Sequence, residues 1–125
     1  MNRSSQPVLP RILIVDDERT IADTLAIILR KNGFETTAVY SGEQAIEAAR
    51  AASPDALIAD VVLQGISGID VALQVRALLP HCRVILIPGQ GESCDLVQNA
   101  RAQGHRFDVL GKPFHPTELV RKLRA

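Results

Sequence analysis

The chain has 125 residues, 46 % of them apolar and only 3 % aromatic, with a formal net charge of zero. That length fits one domain with an aliphatic core. Balanced charge gives no general attraction to nucleic acid or an anionic membrane, and no apolar stretch approaches the ~20 residues of a membrane span.

The opening MNRSSQPVLP lacks the apolar middle of a secretory leader. Residues 1–9 are expected to be a flexible N-terminal arm, followed by a single domain over 10–125. Ile12-Leu13-Ile14-Val15 is an unbroken apolar run that stops at Asp16-Asp17-Glu18, the pattern of a strand covered on both faces. From Thr20 the period becomes helical, with Ile21, Leu25, Ile28 and Leu29 on one stripe and Gly33 at the stop. Phe34 to Tyr40 interleaves polar residues and reads as a strand nearer an edge. Ser41-Gly42-Glu43-Gln44 is a capping-box signature for a helix through Ala52.

Ser53-Pro54-Asp55 breaks that helix, and Ala56 to Ala59 forms the third strand, ending at Asp60. Gly68 to Leu79 is helical by its spacing of Ile69, Leu73, Val75-Arg76 and Leu79, and Pro80 ends it. Val84 to Ile87 is the fourth strand, cut by Pro88-Gly89; a helix from Glu92 to Gln103 stops at Gly104. Phe107 to Leu110 is the fifth strand, and after Lys112-Pro113-Phe114 a last helix starts with Pro116 in its first turn. Five strands alternating with five helices predict an α/β fold: a doubly wound parallel sheet with helices on both faces.

Ligands of such sheets bind outside the carboxyl ends of the strands. Those ends carry Asp16 and Asp17, Asp60, Pro88 and Lys112. With the first and third strands as neighbours, the carboxylates converge. At ~4 Å and an effective dielectric of 20, each carboxylate pair costs about 4 kcal/mol, so the pocket needs cations. Lys112 is one, and a hard divalent ion held by oxygens supplies the rest; Mg2+ fits, since it takes one or two carboxylates and keeps waters or phosphate oxygens. A carboxylate beside a metal and a lysine can attack phosphorus and become an acyl phosphate.

At these residues the chain resembles the receiver domains of bacterial two-component response regulators, through "ILIVDDE", "PDALIADVVLQGISGID" and "LGKPFHPTEL". The resemblance implies a flavodoxin-like (βα)5 sheet of order 2-1-3-4-5 and phosphotransfer from a histidine kinase or phosphotransfer protein to Asp60. It implies a signalling domain, not an enzyme with a separate substrate, that assists its own phosphorylation and dephosphorylation in the cytoplasm. By the same matching, Asp16, Asp17, Asp60 and the carbonyl of Val62 hold Mg2+. Lys112 and the Gly89 N–H meet the phosphoryl group, and the Lys112–Pro113 bond is cis.

Three positions depart from the family pattern. Pro88 replaces the Ser or Thr whose hydroxyl moves to the phosphoryl group, Val109 replaces the aromatic that swings behind it, and Gln64 stands where proline is frequent. The chemistry is expected to survive while the hydroxyl–aromatic relay cannot run. The rival reading is therefore a phosphorylation-independent interaction domain with a blocked switch. A phosphohydrolase with an aspartyl nucleophile would need a cap and a general acid–base, for which no segment is evident.

Other features carry less. Gly89-Gln90-Gly91 lacks the third glycine of a nucleotide fingerprint, and Gln90 is a weak candidate for positioning a water. His81, His105 and His115 are dispersed and read as solvent-facing or capping residues. Cys82 and Cys94 lack zinc or redox spacing, and two unpaired thiols suit a reducing cytoplasm. Arg101, Arg106, Arg121, Lys122 and Arg124 suggest a basic stripe on the face of helix four, strand five and helix five, the face expected to meet a downstream protein partner. No output domain, nucleic-acid partner or membrane partner is expected.

Overall fold

The computed structural model describes residues 9–89 and 92–125. The arm expected over residues 1–9 falls outside them except for Leu9, as do Gln90, Gly91 and the side chain of Cys94. In chain order the elements are β1 (Arg11–Val15), α1 (Arg19–Lys31), β2 (Glu35–Val39), α2 (Gly42–Ala52), β3 (Ala56–Asp60), α3 (Gly68–Leu78), β4 (Arg83–Ile87), α4 (Glu92–Ala102), β5 (Asp108–Val109) and α5 (Pro116–Arg124). All strands pair in parallel, in the order β2-β1-β3-β4-β5.

The apolar runs are unbroken because each central strand has a core on either side. Leu13, Val15, Leu57, Ala59, Val84 and Leu86 enter one cluster with residues of α2, α3 and α4. Their alternates Ile12, Ile14, Ala56, Ile58, Ile85 and Ile87 enter the other, against α1 and α5. β2 lies at one edge of the sheet, as its interleaved polar residues foretell.

Local details differ from the expected ones in instructive ways. On α1 the fully buried stripe is Ala22, Leu25, Ala26 and Leu29, while Ile21 and Ile28 lie half-buried at its margins. The small alanines let the helix approach the sheet closely. On α3, Val71, Ala72 and Val75 are fully buried whereas Leu73 is only partly so. A Cβ on Gly42 of α2 would meet the Val71 side chain, so α3 is covered by a neighbouring helix as well as by the sheet.

At the start of α2, the Ser41 hydroxyl accepts the Gln44 N–H at 3.1 Å, but Gln44 Oε1 reaches back one residue further than a capping box, to the Tyr40 N–H at 2.9 Å. β5 spans only Asp108–Val109 of the expected four residues. Its Leu110 N–H still donates to Leu86 O at 2.9 Å, so pairing outlasts the regular strand. Among the described residues, no helix is long and apolar enough to cross a membrane.

Candidate functional site

Strand register assembles the site. Val15 pairs with Ala59, so the next residues of β1 and β3, Asp16 and Asp60, stand side by side. Asp60 pairs in turn with Ile87, which sets Pro88 at the following step of β4. Lys112 then donates its backbone N–H to Pro88 O at 3.2 Å, which brings the segment after β5 level with the other strand ends.

At that pole, one carboxylate oxygen each from Asp16, Asp17 and Asp60 lies within 4.8 Å of the others. Lys112 Nζ donates to Asp60 Oδ2 at 3.1 Å. Asp16 is 3 % exposed and Asp60 8 %, whereas Asp17 lies on the surface. Asp16 Oδ1 accepts the Glu18 N–H at 2.9 Å, and Asp17 Oδ2 accepts the Gln64 N–H at 3.2 Å.

Burial pushes the Asp16 carboxyl above its ordinary value of 3.8, and the charges of Asp60 and Asp17 add to that. The Glu18 N–H and Lys112 work the other way without cancelling it. One lysine does not balance three clustered carboxylates. The donor set fits a hard cation: closely spaced carboxylate oxygens, two of them on buried side chains, held by elements that the sheet register fixes.

Sequence reading did not single out Gly68, which the structure places against the site. A Cβ at this position would collide with the backbone of Asp60 and Val61. Gly68 N–H donates to Val61 O at 2.8 Å, and the Ser67 hydroxyl caps α3 by accepting the Asp70 N–H at 3.1 Å. A helix opening S-G-I-D gives the cap away in the sequence. The collision depends on tertiary contact and leaves no local signal.

Pro88 is buried and Val109 half-buried, packed against the cluster that contains Leu86. Neither side chain offers a hydroxyl or an aromatic ring. Gly89 is half-buried at the end of β4, Val62 projects its side chain into solvent two residues past Asp60, and Lys112–Pro113 is cis.

The remaining candidates do not converge on the site. His81 is exposed, His105 stacks on Phe107 with centroids 6.3 Å apart, and His115 Nδ1 caps α5 by accepting the Thr117 N–H at 3.1 Å. Of the basic residues Arg101, Arg106, Arg121, Lys122 and Arg124, all but Lys122 are exposed, and two make local bonds. Arg101 is tied to Phe107 O at 3.3 Å and Arg124 to Asn32 O at 3.1 Å, because helix ends and the loop before β5 leave carbonyls unpaired. Cys82 is buried, which pushes its thiol up to about 11, so it stays protonated at neutral pH.

Residues 12–124 match the family described as "Response regulator receiver domain". The DNA-binding response regulator MtrA of Mycolicibacterium paratuberculosis is 36 % identical over 115 residues, which are 92 % of this chain and 50 % of that protein. The chain thus spans about half the length of the curated relatives it matches. The receiver domain protein (CheY-like) from Methanospirillum hungatei superposes with a TM-score of 0.85 at 23 % identity, covering 94 % of this chain and 92 % of that one, a likeness of fold alone. Chemotaxis protein CheY4 of Vibrio cholerae gives 0.83 at 25 % identity, over 94 % of this chain and 98 % of its own.

Proposed function

The chain belongs to the response regulator receiver domain family, the phospho-accepting signalling domains of two-component systems, and on that premise we propose that Asp60 is its phosphoacceptor. The observation that carries this reading is the meeting of Asp16, Asp17 and Asp60 within 4.8 Å, with Lys112 Nζ 3.1 Å from Asp60. Asp16, Asp17, Asp60 and the Val62 carbonyl would hold Mg2+, which when bound neutralises charge on the phosphoryl oxygens.

The donor is a phosphohistidine of a kinase or phosphotransfer protein. An Asp60 carboxylate oxygen attacks phosphorus, the P–O bond forms as the P–N bond breaks, and the imidazole nitrogen leaves and takes up a proton. Lys112 exchanges its bond to the carboxylate for one to a phosphoryl oxygen, and the Gly89 N–H supplies a further donor. Water later hydrolyses the acyl phosphate, returning the carboxylate. The domain assists both steps by holding the reacting groups in place.

Residues 10–125 make up the receiver unit. It works in the cytoplasm and presents the face of α4, β5 and α5 to a downstream protein. With Pro88 and Val109 at the relay positions, its output does not use a moving hydroxyl and ring. Transfer of labelled phosphate from a phosphorylated histidine kinase tests this. Label should pass to the chain in magnesium, resist acid better than alkali, and fail to pass to Asp60→Asn. Label on Asp60→Asn refutes the assignment.

A further inference from the structure

Asp17 is the surface member of the acidic group, so packing does not fix its side chain. It is fixed instead from another element. The Gln64 backbone N–H, in the loop between β3 and α3, donates to Asp17 Oδ2 across 47 positions of sequence. The loop is itself pinned near both ends: Val61 N–H donates to Ile87 O at 3.2 Å, and Gly68 N–H to Val61 O at 2.8 Å. Gly68 also packs too closely on Asp60 to carry a Cβ. The donor is therefore presented by a constrained loop.

A carboxylate can bind an ion through one oxygen while the other accepts an N–H. Such outer partners orient the ligand and preserve metal affinity. The geometry points to Gln64 as a positioning residue that acts through its backbone: its N–H holds Asp17 in its ligand orientation and couples the β3–α3 loop to the ion. This rests on the reading above that Asp17 is a Mg2+ ligand. The side chain of Gln64 is exposed and takes no part in the bond. Proline removes the donor and alanine keeps it, so the two substitutions separate the role of the N–H from that of the side chain.

Two measurements on the full chain decide the matter: calorimetric titration with magnesium chloride, and exchange of the Gln64 amide in metal-free protein. Gln64→Ala should bind magnesium within about twofold of the parent, and Gln64→Pro about tenfold more weakly. The Gln64 amide should exchange at least about tenfold slower than an open-chain amide, and Asp17→Ala should abolish that protection. Equal affinities of Gln64→Pro and Gln64→Ala overturn the inference, as does open-chain exchange of Gln64 in the parent. Should Gln64→Pro fail to fold, the amide comparison decides alone. A parent chain that binds no magnesium would instead refute the ligand assignment of Asp17.

Discussion

The two flanks of the pocket are built to different standards. On the β1–β3 flank, three carboxylates stand within 4.8 Å of one another, two of them buried and one held by the neighbouring loop. On the β4–β5 flank, Lys112 is in place, but the strand ends at a buried proline and the position behind it carries valine. The difference teaches that accepting phosphate and relaying it are separable demands. Acceptance needs charge in a fixed geometry, which strand register supplies. A relay of the kind the family resemblance implies needs a movable hydroxyl and an aromatic ring, and Pro88 and Val109 carry neither.

Perturbing each flank separately should reveal this division. The largest effect belongs to the cation they share. Lys112→Ala should slow phosphorylation by acetyl phosphate roughly 100-fold, read as the rate of mass gain, since no ammonium then meets the phosphoryl oxygens. Next comes the packing beneath the acidic flank. Gly68→Ala forces a Cβ into the Asp60 and Val61 backbone, and should cost about 1–3 kcal/mol in a urea melt with a matching loss of magnesium affinity.

Asp16 gives a subtler, pH-dependent effect. Its carboxyl is raised in the fold by burial, so the folded chain keeps a proton that the unfolded chain releases. Metal-free stability should therefore fall as pH rises from about 3.8 through the raised value. Above that range, Asp16→Asn should melt later than the parent in EDTA and gain less from added magnesium. Denaturation with and without chelator would check both signs.

The smallest effect on acceptance lies on the other flank. Restoring hydroxyl and ring with Pro88→Thr and Val109→Tyr should leave the phosphorylation rate within about threefold, because neither residue carries the charge balance. The same pair should add beryllofluoride-dependent amide shifts over residues 105–120 that the parent lacks. A large rate increase with no new shifts would show that the two flanks do not divide in this way.

Much of this was legible in the sequence, for physical reasons. Two-sided strands cannot alternate, so runs such as Ile12 to Val15 and Ala56 to Ala59 stand out, and the charges that end them mark the pole where ligands bind. Lys112 was readable by the same logic, since it follows the last short strand. What escaped was carried by backbone. The Gln64 N–H belongs to any non-proline residue, so no side chain announced its bond to Asp17. Gly68 reads as an ordinary helix start until the Asp60 carbonyl is placed beside it. Leu73 outranks Val71 on a helical wheel drawn for one covered face, but α3 has two. β5, at the edge beside β4, keeps only two regular residues, and no run in the sequence foretold that shortening.

The most direct test of the central claim is the intact mass of the chain after acetyl phosphate, with magnesium and with EDTA. The account predicts one added phosphoryl group (about 80 Da) that requires magnesium and disappears in Asp60→Asn. An unchanged mass in magnesium, or the same gain in Asp60→Asn, would contradict it.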